Sequence, residues 1–219
     1  MRDTKAGWGW MDLGILVVAL APFVVAALFW NQLPDRLAVH FGANGQPDGF
    51  QDKGWFLVMV AVMNVGLALL LKVVQWIDPK RENYRKFARF YNLFRVVMAA
   101  FMSVIFMVTI FYNLGYAFNV QLIVLSGIGV LFIVIGNYMG QIRFNYFFGI
   151  RTPWTLANEE VWRRTHRMAG PLWVAAGVAA FICGFLSGEA AMWIFFPIVI
   201  IVGVAPLVYS FVLYRKIVR

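Results

Sequence analysis

Residues 121–166 read QLIVLSGIGVLFIVIGNYMGQIRFNYFFGIRTPWTLANEEVWRRTH, and the preferred solvent changes partway along. The first eighteen residues, 121–138, carry no charge. At ~1.5 Å per residue they span roughly 27 Å, close to a hydrocarbon core of about 30 Å. The stretch 137–166, which overlaps the end of that run, is polar, arginine-bearing and aromatic-rich, and membrane insertion alone does not explain it. One span followed by one built segment at its end is the unit from which the rest of the chain is read.

The whole chain obeys the same solvent. Of its 219 residues 62% are hydrophobic and 13% charged, and the mean hydropathy is +0.75. Soluble domains sit near 45–50% apolar, so the composition specifies an all-α integral membrane protein. Further spans are expected at residues 12–30, 55–77, 96–112, 171–186 and 192–213, six in all with 121–138. Pro22 is expected to kink the first, with neighbouring helices satisfying the carbonyl it frees. Asn64 lies at mid-depth of the second and Lys72 near its end, where it can snorkel. Pro197 and Pro206 bend the last. The first span reads as a retained signal anchor, and Cys183 is a small apolar-run residue without a disulfide partner.

Charge sets the orientation. Arg2 and Lys5 precede the first span; Lys80, Arg81, Arg85, Lys86, Arg89 and Arg95 follow the second; Arg143, Arg151, Arg163, Arg164 and Arg167 follow the fourth; Arg215, Lys216 and Arg219 end the chain. With both termini inside, sixteen basic residues face the cytoplasm and two, Arg36 and Lys53, face out. The net charge of +9 therefore answers to topology, and direct nucleic-acid binding is excluded for want of a soluble basic module. The expected organisation is residues 1–77 with an external loop 31–54, a basic cytoplasmic linker 78–95, and a four-helix region 96–219 with its cytoplasmic segment 137–168. Tyr84, Phe87, Phe90 and Tyr91 make the linker either an amphipathic surface helix or a solvated connection.

Two segments carry candidate function. The external loop is punctuated by Pro34, Asn44-Gly45 and Pro47-Asp48-Gly49, so it reads as a compact structure, with residues 37–41 extended. Its candidate ligand-binding residues are His40, Phe41, Gly45, Pro47, Asp48 and Lys53. One histidine with scattered aspartates matches no metal motif, and no metal or cofactor is expected. In the cytoplasmic segment Pro153 ends helical space at Thr152. A short amphipathic helix begins near Asn158, with Thr155 or Asn158 as N-cap and the i,i+4 pairs Glu159/Arg163 and Glu160/Arg164. The structural or signalling candidates are Asn137, Arg143, Asn145, Gly149, Arg151, Thr152, Trp154, Thr155, Trp162, Thr165 and His166. No nucleophile motif surrounds the histidines, so no catalytic residue is assigned.

The run GNYMGQIRFNYFFGIRTPWTLANEEVWRRTHRMAG, at residues 136–170, resembles the SdpI-like immunity protein family of bacterial membrane proteins. The stretch LPDRLAVHFGANGQPDGFQDK, at residues 33–53, is similar to the domain of unknown function commonly found ahead of it. The resemblance implies a multi-pass protein of the bacterial cytoplasmic (inner) membrane that gives resistance to a secreted, membrane-active toxin peptide, in some members also recruiting a transcriptional repressor. Ala157 departs from the family pattern, which has a small hydroxyl residue there completing a capping box with Glu160; the loss costs about 1 kcal/mol of helix initiation. Implied partners are membrane lipids, a toxin peptide outside and a repressor inside. The alternatives are a small-solute transporter or channel, for which the spans offer only Asn64, Ser103, Thr109 and Ser126 besides Lys72, and a membrane-embedded hydrolase using His40 with Asp48 or His166 with Glu159.

Overall fold

Among the described residues of the computed structural model, six apolar segments form helices long enough to cross a bilayer, and the chain is 75% helical. The structure describes residues 8–43, 45–186 and 188–218; Arg2, Lys5, Asn44 and Arg219 lie outside them. In order come α1 (Trp10–Leu28), β1 (Arg36–Phe41), β2 (Pro47–Asp52), α2 (Lys53–Val60), a π-helical segment (Ala61–Gly66) and α3 (Leu67–Ile77). They are followed by α4 (Arg81–Tyr84), a 3₁₀ turn, α5 (Ala88–Asn113), α6 (Val120–Met139), α7 (Pro153–Ala157), α8 (Glu159–Cys183) and α9 (Glu189–Val218).

The chain divides into two compact units, residues 1–76 with 95–120, and residues 77–94 with 121–219. The boundary therefore falls within α5 rather than between spans. Residues 78–95 are accordingly no free linker: Tyr84, Phe87, Phe90 and Tyr91 are buried, facing neither lipid nor solvent.

In the first unit, Phe56 and Phe106 meet edge to face at 5.9 Å within a core of Ala26, Leu33, Leu37, Val60 and Ile110. A second polar core lies at mid-depth. Pro22 has no N–H for the carbonyl of Val18, one turn earlier. Ser103 Oγ donates to that carbonyl at 2.8 Å, and Asn64 Nδ2 donates to the Ala19 carbonyl and to Ser103 Oγ, both at 3.0 Å. Asn64 sits inside the π-helical segment, a local widening that re-aims a side chain.

At one end of the same helices Asp12 accepts from Lys72 Nζ at 2.7 Å and from Arg95 at 2.6 Å, all three side chains being buried. The sequence reading left only Lys72 as an ionisable group within the spans. Arg95 joins it because α5 starts at Ala88, earlier than expected, and Asp12 because it lies in the first turn of α1.

In the second unit, α6 and α8 run antiparallel with glycines at the crossings. A Cβ on Gly136 would lie 2.7 Å from the Gly170 carbonyl oxygen, and one on Gly129 would lie 2.7 Å from that of Gly177. Only hydrogen can occupy those positions without separating the helices. Leu125, Ala180, Cys183, Ala191 and Phe195 form the core further along. α8 is continuous through Pro171, so the short interfacial helix and the fifth span are one element.

Candidate functional site

The loop in the first unit folds as an antiparallel hairpin, pairing Leu37 with Gln51 and Ala38 with Phe50. Only its first strand was legible in the sequence. Gly45 takes φ 75° in the turn, a conformation open to glycine. Phe41 pairs with Pro47 in the ladder and meets Tyr112 edge to face at 4.9 Å. His40 Nδ1 and Asp48 Oδ1 share a hydrogen bond on the exposed face. Lys53 reaches Asp35 at 2.9 Å and lies over the Trp30 ring. Asp52 caps α2 by accepting from Gly54 N–H at 2.7 Å.

Asn113, absent from the sequence candidates, holds the hairpin in place. Its Oδ1 accepts from the Ala38 N–H at 2.8 Å and its Nδ2 donates to the Ala38 carbonyl at 3.0 Å, so the carboxamide acts as one residue of a strand. A single asparagine near a helix end carries no sequence signal of that role.

The second unit holds a collar built by residues 140–166. Asn145 is fully buried: its Nδ2 donates to the Arg143 and Phe148 carbonyls, and its Oδ1 accepts from the Phe147 and Phe148 N–H groups and from Tyr84 Oη. This fold-back inserts Phe148 among Phe87, Tyr91 and Phe94, at 6.2, 5.2 and 4.9 Å between ring centres. Asp78, also missed, accepts from Tyr84 Oη and from the Tyr146 N–H, tying the 78–84 segment to the loop. Its signal was an acid directly ahead of a proline in a basic stretch.

His166 is completely buried. Nε2 faces the Ile150 N–H at 2.9 Å and Nδ1 faces the Trp162 carbonyl at 2.8 Å. The first partner can only donate and the second only accept, so the ring is neutral with its proton on Nδ1. Trp162 stacks on it at 4.2 Å and donates from Nε1 to the Ile142 carbonyl. Gly149 adopts φ 109°, and a Cβ there would stand 2.5 Å from His166 Nε2.

Thr152 and Thr155 cap each other across the start of α7, and Thr152 Oγ1 meets Ser210 Oγ at 3.0 Å. Asn158 caps α8 by accepting from Glu160 and Val161 N–H, which supplies the cap that Ala157 does not. Glu160 takes both Arg163 and Arg164. Trp154 packs on Phe211 at 4.9 Å, and Arg151 donates to the Tyr146 carbonyl. Thr165 is buried with its hydroxyl unpartnered; Asn137 and Arg143 are exposed, and Gly136 rather than Asn137 faces α8. Asn145, Arg151, Thr155 and His166 thus spend their polar groups on the collar's own backbone. Among the described residues no group of three or more His, Cys, Asp or Glu could hold a metal ion.

Residues 141–210 match the SdpI/YfhL protein family, and residues 17–64 match a domain of unknown function, DUF1648. The chain is similar to the immunity protein SdpI of Bacillus subtilis (strain 168), 25% identical over 205 residues, covering 94% of this chain and 96% of that protein. It is also similar to an uncharacterized protein of Archaeoglobus fulgidus, 31% identical over 72 residues, covering 33% of this chain and 39% of that one. No solved structure matches.

Proposed function

Carrying an SdpI/YfhL-family region at residues 141–210 behind a DUF1648 region at residues 17–64, the chain is an SdpI-like multi-pass inner-membrane protein, and we propose that it protects its cell against a secreted, membrane-active toxin peptide. The observation that carries this reading is the extent of the match to an immunity protein, which runs through 94% of the chain and includes both candidate segments.

The distribution of lysine and arginine supports an orientation with both termini inside, the hairpin outside and the collar inside. On that orientation the hairpin meets the peptide. The collar sets the spacing of its helices and presents exposed Arg143, Arg163, Arg164 and Arg167 inward, a face suited to recruiting a repressor. A hydrolase is less well supported, because both nitrogens of His166 are held by backbone groups and His40 and Asp48 are exposed. For a transporter, Asn64 and Ser103 are the natural pathway residues, yet both bond to the carbonyls around Pro22.

Expression in a toxin-sensitive bacterium followed by challenge with killing peptides tests the reading. Survival above the empty-vector control is expected for at least one peptide, and unchanged killing by every peptide tried counts against it. A labelled repressor that moves to the membrane only when the protein and its toxin are both present tests the inward role.

A further inference from the structure

A two-stranded sheet has two outer edges, and here they are treated differently. The edge of β1 is closed by Asn113, which takes both the N–H and the carbonyl of Ala38. Ala38 pairs with Phe50. In an antiparallel ladder, opposite residues direct their backbone groups either both toward each other or both away. Since those of Ala38 point away, to Asn113, those of Phe50 point outward on the other side. No other described element hydrogen-bonds that edge.

The side chains beside this edge set what can pair with it. Asp48, Phe50 and Asp52 alternate with less exposed residues and lie on one face of β2, with Phe50 51% exposed. A second copy pairing antiparallel about Phe50 would set Asp48 against Asp52 twice over, and directly opposed like charges destabilise a strand pair. The acids therefore disfavour self-pairing, a common guard on edge strands. They favour instead a strand with basic residues two positions either side of an apolar one.

We propose that the outer edge of β2, centred on Phe50, is a strand-addition site for an extended cationic peptide segment whose basic residues flank an apolar one. This deepens the immunity reading and rests on it for the identity of the natural ligand, the toxin. The backbone pair at Phe50 supplies affinity, and Asp48 and Asp52 select the charge pattern.

The test uses the full chain in lipid nanodiscs and three capped synthetic peptides. One is built around Lys-Thr-Ile-Thr-Lys, the second around Glu-Thr-Ile-Thr-Glu, and the third is the lysine peptide with its central amide N-methylated. Binding of the lysine peptide is expected, on the order of tenfold tighter than either other peptide, and weakened by salt. Phe50→Pro, which removes the edge N–H where a strand tolerates it, should lose binding without loss of thermal stability. Equal binding of the N-methylated or glutamate peptide overturns the proposal. So does unimpaired binding to Phe50→Pro, or disulfide-linked dimers formed efficiently by Phe50→Cys, which would assign the edge to a second copy.

Survival assays separate the two readings. Protection by the unaltered chain together with equal protection by Phe50→Pro removes the edge site and leaves immunity standing. Absent protection together with selective peptide binding removes immunity and leaves the edge site.

Discussion

Replacing Gly136 by alanine should destabilise the second unit by about 2 kcal/mol, within the roughly 1–3 kcal/mol range for overpacking. The added Cβ would lie 2.7 Å from the Gly170 oxygen and 2.7 Å from the Val174 nitrogen. Both are backbone atoms of α8, which no rotamer change can move aside. Ordinary contact begins near 3.4 Å, so the helices must part by several tenths of an ångström. Gly177→Ala meets the same obstacle at 2.6 Å from the Gly129 oxygen. The two crossings share one pair of helices, so a separation that relieves one relieves part of the other. The double variant should therefore cost less than the sum of the singles. The controls are Gly14→Ala and Gly203→Ala, where nothing lies within 4 Å of the new methyl. There the better helix propensity of alanine should leave stability unchanged or raised by up to about 1 kcal/mol. Thermal unfolding in one detergent, followed by loss of the monodisperse chromatographic peak, reads all five variants. A melting temperature for Gly136→Ala equal to that of Gly203→Ala would refute the reasoning.

Four further substitutions probe the remaining polar devices. Gly149→Ala combines φ 109° with a methyl 2.5 Å from His166 Nε2; it should cost about 2–4 kcal/mol and deprotect the Ile150 amide in hydrogen exchange. Asp12→Asn leaves Lys72 and Arg95 facing each other without their anion and should cost about 3–5 kcal/mol. Lys53→Gln, at a bridge whose aspartate is 89% exposed, should cost no more than about 1 kcal/mol in the same melting assay. Ser103→Ala orphans the Val18 carbonyl and should cost about 1–3 kcal/mol. In a Pro22→Ala background the restored amide at position 22 can serve that carbonyl, so the same change should cost about 1 kcal/mol less; an unchanged cost would sink the assignment of Ser103 as its surrogate donor.

The spans were legible because an apolar run of bilayer length has few alternatives, and the turn around Gly45 because proline presets φ and glycine admits positive φ. What the sequence hid were partners distant along the chain. Nothing in the run at residues 12–30 says that Pro22 would be answered by a serine 81 positions later, although the need for an answer was plain from the missing N–H. Asp12 and Arg95 looked like ends of segments because helix starts are read from where the apolar pattern begins, and both lie within a turn or two of that edge. Residues 78–95 read equally well as a surface helix or a linker because an aromatic face facing lipid and one facing protein have the same composition. The partner that decides it, Phe148, is placed by the fold-back around Asn145.

Hydrogen-bond completion separates the two candidate segments more sharply than residue type does. In the collar, Asn145, His166, Thr152 and Thr155 look reactive, yet each points at a backbone group of its own loop. A ligand would have to break those bonds to use them. In the hairpin the side chains look ordinary, but β1 has its outer edge closed by Asn113 and β2 does not. An unpaired strand edge can bind without losing any backbone hydrogen bond already made, since only water is displaced. The same accounting explains why the histidines mislead as markers of function: His166 is buried with both ring nitrogens engaged, and His40 lies exposed together with its partner Asp48. Recognition of the peptide is therefore expected from backbone at Phe50, with charge from Asp48 and Asp52 choosing among partners, while the collar contributes shape and its exposed arginines.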